Sequence, residues 1–521
     1  MAAVTASADD ESGNADEIFS LSERCIACHS NLSTASGDDV SIGYAWRPTM
    51  MANSGRDPYW HAAVRREVTD HPSAQSAIED KCSTCHMPMM RFAAAAVGGL
   101  GKVFDNLPGP DADPFASDGV SCTVCHQIKG DNFGTRESFE GGFEIDAETH
   151  GDGRALFGPY DVDHGHSALM QSAGKATPTE SLHLRRSELC ATCHTLYTTA
   201  LDDSGNVVGE LPEQMPYLEW EHSSYRDTQS CQDCHMPVAD GEVAITSVLG
   251  APRERLAQHV FRGGNAFMLG ILNRNRAELG VVAPPQEFDA ARERTIEYLQ
   301  TSTATLAIRS AGFTGGTLSF DVVVDSKSGH KLPTAYPSRR VWLHVTVADA
   351  DGRKLFESGA LRPNGSIVGN DNDADPRRYE PHYNEVTSPD QVQIYEAILG
   401  DPRGGVTTGL LTAVDYLKDN RVLPTGFEKT TAGSDFAVHG TALDDPDFIG
   451  GTDKVRYRLD LGGARAPLTV TTELEYQAVG FRWAENLGGY DTPETNRFVG
   501  YYREAVGDSA TRLALATTTV R

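Results

Sequence analysis

Near residue 300 the spacing of apolar positions along the chain changes. Beyond it, hydrophobic residues come in short β-branched and aromatic runs separated by turn residues: 305–309, 318–324, 341–347, 392–399, 455–461 and 468–476. Such runs predict strands. The turn Asp349-Ala-Asp-Gly352 predicts a tight return into Lys354-Leu-Phe356. Residues 410–417 read as a helical insertion. Before the change, residues 57–69 predict a helix, and residues 253–279 predict one or two more, broken near Gly263-Gly264. Residues 285–301 predict an amphipathic helix that starts on proline, with Phe288, Ile296 and Leu299 on one face. The rest of the first part is rich in loops, glycine and proline. The fold class expected is α+β: a loop-rich, mainly helical part, then a β-sandwich-like part.

Cysteine usage gives the first part its chemistry. All ten cysteines lie in Cys-x-x-Cys-His segments: Cys25/Cys28/His29, Cys82/Cys85/His86, Cys122/Cys125/His126, Cys190/Cys193/His194 and Cys231/Cys234/His235. This spacing is the attachment signature of c-type haem. The two thiols bond the porphyrin, and the adjoining histidine falls under the iron. Zinc ribbons need two Cys-x-x-Cys knuckles per metal and have no use for a histidine after every one. Five haem c groups are therefore expected, and no thiol is left for nucleophilic chemistry. The segmentation expected is an acidic disordered tail at 1–18, a pentahaem cytochrome domain at 19–300 and a β domain at 301–521.

The sixth iron ligand separates carriers from catalysts: an electron carrier fills it and a catalytic haem leaves it open. Of the seventeen histidines, twelve lie outside the motifs. The preferred distal candidates are His61, His71, His166, His183 and His259, with His330 reaching over from the β part. Arg339 and Arg340, close after His330, suit haem propionates. His150, His164 and His222 rank lower, and Met50 and Met51 are alternative ligands near the first motif. Asp371, Asp373 and Asp375 alternate as hard oxygen donors and form a candidate calcium loop.

Three segments carry a resemblance: Cys-x-x-Cys-His-Met-Pro at Cys82 and Cys231, Glu188-Leu-Cys-Ala-Thr-Cys-His194, and Glu213-Gln-Met-Pro-Tyr-Leu-Glu-Trp220. With these the first part resembles the multihaem c-type cytochromes. The group includes the tetrahaem cytochrome of ammonia oxidisers, the pentahaem nitrite reductases and hydroxylamine oxidoreductase. Gly329-His-Lys-Leu-Pro-Thr334 is similar to a segment of bacterial multihaem proteins with a C-terminal β domain. The chain departs from the nitrite reductases, most of which carry a lysine ligand in a Cys-x-x-Cys-Lys motif. It has fewer motifs than hydroxylamine oxidoreductase. No catalytic residue is carried over.

The formal net charge of −28 argues against nucleic acid or an anionic membrane surface and favours basic or neutral redox partners. No apolar run approaches the ~18–20 residues of a membrane helix, so an integral membrane protein is not expected. Haem attachment outside the cytoplasmic membrane implies a periplasmic or extracellular protein, although the first residues show no leader pattern. The function expected is electron transfer along mostly bis-histidine haems. The alternatives are a reductase or oxidase with one open haem, acting on a small nitrogen or sulfur oxyanion, and a filament-forming or otherwise homo-oligomeric extracellular cytochrome.

Overall fold

The structure, a computed structural model, describes residues 15–109 and 112–521. Helices dominate the first part and sheets the second, giving a mixed α+β fold. Most of the expected acidic tail, residues 1–14, lies outside the described residues. Its end is corrected: Ala15–Ile18 is a helical turn with Ala15 and Ile18 buried.

In the helical part, α1 (Pro58–Asp70) starts where Asp57 accepts from the Tyr59 and Trp60 amides and Pro58 pre-sets the first turn. The following helices used below are α2 (Gln75–His86), α3 (Ser187–His194), α4 (Pro216–Glu221), α5 (Ala266–Arg274) and α6 (Pro285–Ser302). Only 266–274 of the expected 253–279 stretch is helical, because residues up to Gly264 leave the helical conformation to follow loops. The buried stripe of α6 is Phe288, Ala291, Thr295 and Leu299, with Ile296 half-buried at its margin. Apolar clusters here are small. Four separate ones hold five to eight buried residues each.

The helical part holds only short two-stranded ribbons, and the strands of the larger sheets begin two residues after α6. A four-stranded sheet runs Glu385–Val386, Thr452–Asp460, Thr317–Ser326, Ala304–Thr314. Gly315 and Gly316, both at positive φ, close the Ala304–Thr314/Thr317–Ser326 hairpin, the backbone that a two-residue hairpin turn demands. The second sheet is larger. In it Ile394–Gly400, Arg340–Ala348, Leu468–Gln477 and Ala510–Val520 lie side by side in that order, the last at the end of the sheet. Burial alternates along Leu468–Gln477, as in a strand with one covered face, whereas all seven residues of Ile394–Gly400 are buried. The sheets enclose one large core that also takes Tyr59 and Ala62 from α1.

The expected helix at 410–417 is instead a turn leading into a strand, Asp415–Asp419. The Glu67 carboxylate accepts from the Leu410 and Leu411 amides, so a contact from α1 fixes this backbone. Arg65 with Glu494 and Tyr490 with Asp70 join the two parts further.

Candidate functional site

Each Cys-x-x-Cys-His segment lies on or ends a short helix, which gathers two thiols and an imidazole on one small patch. Four of the five motif histidines are oriented through Nδ1. That nitrogen meets the carbonyl of Ile245 for His29 (2.6 Å), Phe157 for His126 (2.6 Å), Arg262 for His235 (2.6 Å) and, more loosely, Ser54 for His86 (3.4 Å). A ring that donates Nδ1–H to a carbonyl presents an unprotonated Nε2, the arrangement metal-ligating histidines adopt. Burial reinforces it. Desolvation pulls His126 below the usual imidazole range and brings His86 and His235 down to about 4, so each stays neutral. Trp60 stacks on His86 at 4.4 Å between centroids and fixes that ring further.

Two motif histidines face a second imidazole. His259 lies 6.3 Å from His126 between ring centroids, with 15° between planes, and His330 lies 6.2 Å from His235 at 12°. The partners also turn Nδ1 to a carbonyl, His259 to Ala257 and His330 to Lys331. Two imidazoles bound to one metal from opposite sides, each at ~2.0–2.1 Å and with a ring radius near 1.1 Å, have centroids roughly 6.3 Å apart. His71 is buried, and neither of its nitrogens has a hydrogen-bond partner. A buried unpaired imidazole is costly unless something binds it. The donor set therefore fits c-type haem.

Three expected distal candidates are engaged elsewhere. His61 offers Nε2 to the Gly55 carbonyl and Nδ1 to Arg497. His183 lies between Ser181 Oγ and the Ile128 carbonyl. His166 is held by Asp163 and the Leu249 carbonyl near the surface. Of the two arginines, Arg340 is buried in a forked pair with Asp373, while Arg339 faces His194.

The motifs do not meet in chain order. The thiols of Cys25 and Cys122 lie close together, as do those of Cys85 and Cys193, and of Cys190 and Cys231. Cys125 lies close to both Cys190 and Cys193. The fourth motif thus touches the second, third and fifth, and the first touches the third.

The calcium expectation at Asp371, Asp373 and Asp375 is corrected. Each carboxylate is taken by a different arginine, Arg378, Arg340 and Arg377 respectively. A second group, His382, Asp445 and Asp453, is fully buried with its donor atoms within 4.8 Å of one another. Its wiring is opposite to that of a metal site. His382 Nδ1 receives Gln393 Nε2 (2.8 Å) and Asn420 Nδ2 (3.1 Å). Both amides are locked in that sense by the Tyr383 and Glu396 backbone N–H groups. Nδ1 is therefore an acceptor, the ring proton sits on Nε2, and that proton faces Asp445 at 3.0 Å.

Glu213, at the head of the Glu213–Trp220 segment, is buried against Thr198 Oγ1 (2.6 Å) and Gln214 Nε2 (3.0 Å). Burial pushes its carboxyl up to about 7. A carboxyl raised on folding contributes stability at low pH, and this is lost as pH rises from its unfolded value towards 7. Glu213→Gln is therefore expected to be the more stable protein at pH 8, by about 2–3 kcal/mol, and to match the parent near pH 4. Thermal melts at the two pH values check this, and a gain that does not depend on pH would refute the assignment.

No protein-family model matches the chain, and no curated protein matches it. A solved structure does match: a penta-heme cytochrome c552 from Thermochromatium tepidum, with TM-score 0.54 and 19% sequence identity over 96% of this chain and 98% of that one. The two share an overall fold.

Proposed function

We propose that this chain is an exported pentahaem c-type cytochrome that passes electrons between redox proteins. On this reading residues 19–300 carry the haems and residues 301–521 form a β domain that completes one of them. The supporting observation is the pair of facing imidazoles, His126 with His259 and His235 with His330, each ring fixed through Nδ1. The penta-heme relative in fold points the same way. Haem, when bound, supplies a one-electron couple. The chain supplies ten thiols, five proximal imidazoles, and His71, His259 and His330 as distal donors. Two strong ligands on an iron, as these donors would give three of the five, let the charge change with little rearrangement, which suits transfer rather than catalysis. The thiol contacts argue for a route in which the fourth motif is the junction between the first–third pair, the second and the fifth. The acidic surface favours basic or neutral partners.

The mature protein is expected to carry five haems per chain, low-spin at the paired sites. His259→Ala is expected to turn one fifth of the haem from low to high spin in the ferric EPR spectrum. Unchanged spectra would dismiss His259 as a ligand. A high-spin signal in the parent that responds to nitrite or hydroxylamine would favour an enzyme instead.

A further inference from the structure

We propose that Glu219, a carboxylate from the helical part, is the positioning residue for His330, holding that imidazole over His235 and tuning the haem between them. The inference rests on the ligation reading given above.

His330 sits on the loop between Thr317–Ser326 and Arg340–Ala348, whereas Glu219 comes from α4. The ring of His330 is oriented by the Lys331 carbonyl, so whatever fixes the 330–334 backbone also fixes the imidazole. One oxygen of Glu219 does this at both ends of the segment. Oε2 accepts from the Lys331 amide at 3.1 Å and from the Thr334 hydroxyl. The other oxygen faces Arg421 at 3.0 Å. Arg421 forks onto Asp419 at 2.8 and 2.7 Å, and Asp419 receives Lys331 Nζ at 2.6 Å. Two anions and two cations thus close a ring around the loop.

All four side chains are buried, Glu219 and Lys331 at 0% exposure. Four desolvated charges are a poor way to gain stability, since well-packed apolar residues often do as well or better. They do fix geometry: each charge has one low-energy position, set by the other three. Glu219 also puts a negative charge beside His330, where it favours the oxidised, more positive iron.

The experiment uses the holo protein and three variants: Glu219→Gln, Thr334→Val and His330→Ala. His330→Ala is expected to turn one haem of the five high-spin, which identifies its EPR signal. Glu219→Gln keeps the shape but loses the charge. It is expected to shift the g-values of that same haem and to raise its midpoint potential, leaving the other four unchanged. Thr334→Val, which removes one of the two loop bonds and no charge, is expected to shift the g-values of that haem alone, by less. If His330→Ala changes one haem while Glu219→Gln and Thr334→Val leave all signals and potentials unchanged, the positioning role is overturned and the ligation reading survives. If His330→Ala itself changes nothing, both fall. Should Glu219→Gln not accumulate, the decision passes to Thr334→Val, whose unchanged spectrum overturns the proposal.

Discussion

On the proposed reading, serine at both Cys190 and Cys193 is expected to remove more pigment than the one haem those thiols would hold. The fourth motif is the junction of the set: its thiols meet Cys231 and Cys85, and Cys125 lies alongside. Apart from α1, α5 and α6, which also pack into the large core of the β part, the helical part has apolar clusters of only five to eight buried residues each, a thin core for the segments that carry the motifs. A macrocycle that hides roughly 400 Å² of apolar surface contributes on the order of 10 kcal/mol. Whole domains are stable by only about 5–15 kcal/mol. Losing the central haem therefore removes an amount comparable with the whole margin. The haem content per chain should fall by clearly more than one fifth, and the helical part should melt at room temperature. The same change at Cys25 and Cys28, of which Cys25 lies beside Cys122 of the third motif, should cost close to one fifth. Haemochrome content per mole of protein, with circular dichroism on the same samples, separates the cases. Equal losses at the two sites would mean that the haems do not support one another.

The contrast between motif and ligand shows what a sequence exposes. The five Cys-x-x-Cys-His segments are local, with every participant within five residues, so spacing alone reveals them. The strand at 468–476 is nearly as plain, because alternation follows from one covered face, and 318–324 is plain from its β-branched and aromatic residues, buried without alternation from 320 to 324. The distal histidines are different. His61 and His259 look equally suitable in the sequence, yet one meets Arg497, 436 residues away, and the other meets His126. Asp371, Asp373 and Asp375 have the alternation of a cation loop, but whether arginines reach them depends on tertiary placement. The segment 410–417 is apolar enough for a helix and loses that form to two hydrogen bonds from Glu67. Glu219 carries little local signal: it is an acidic residue in the first turn of a short helix, and its partners Lys331 and Thr334 lie 112 and 115 residues away.

Arg421→Ala is expected to destabilise the protein by about 3–5 kcal/mol, the usual result of breaking a buried ion pair from one side. It leaves Asp419 paired with Lys331 alone and takes from Glu219 the cation it faces, in a buried site. The pH dependence distinguishes this from simple loss of packing. In the parent, burial pushes the Asp419 carboxyl up, but Arg421 and Lys331 outweigh it and hold it well below the usual carboxylate range. A carboxyl depressed on folding contributes stability above its unfolded value and loses it only as pH falls through the folded value. That contribution is therefore complete and flat from pH 5 to 8. Without Arg421 the balance reverses: desolvation prevails, a proton is bound more tightly in the folded state, and acid now stabilises the variant. The deficit relative to the parent should thus be largest at pH 8 and shrink towards pH 5. Urea unfolding of both proteins across that range measures it. A deficit below about 1 kcal/mol, the scale of an exposed ion pair, would mean that the ring of charges is not sealed from water. A deficit constant with pH would assign the loss to the missing side-chain volume.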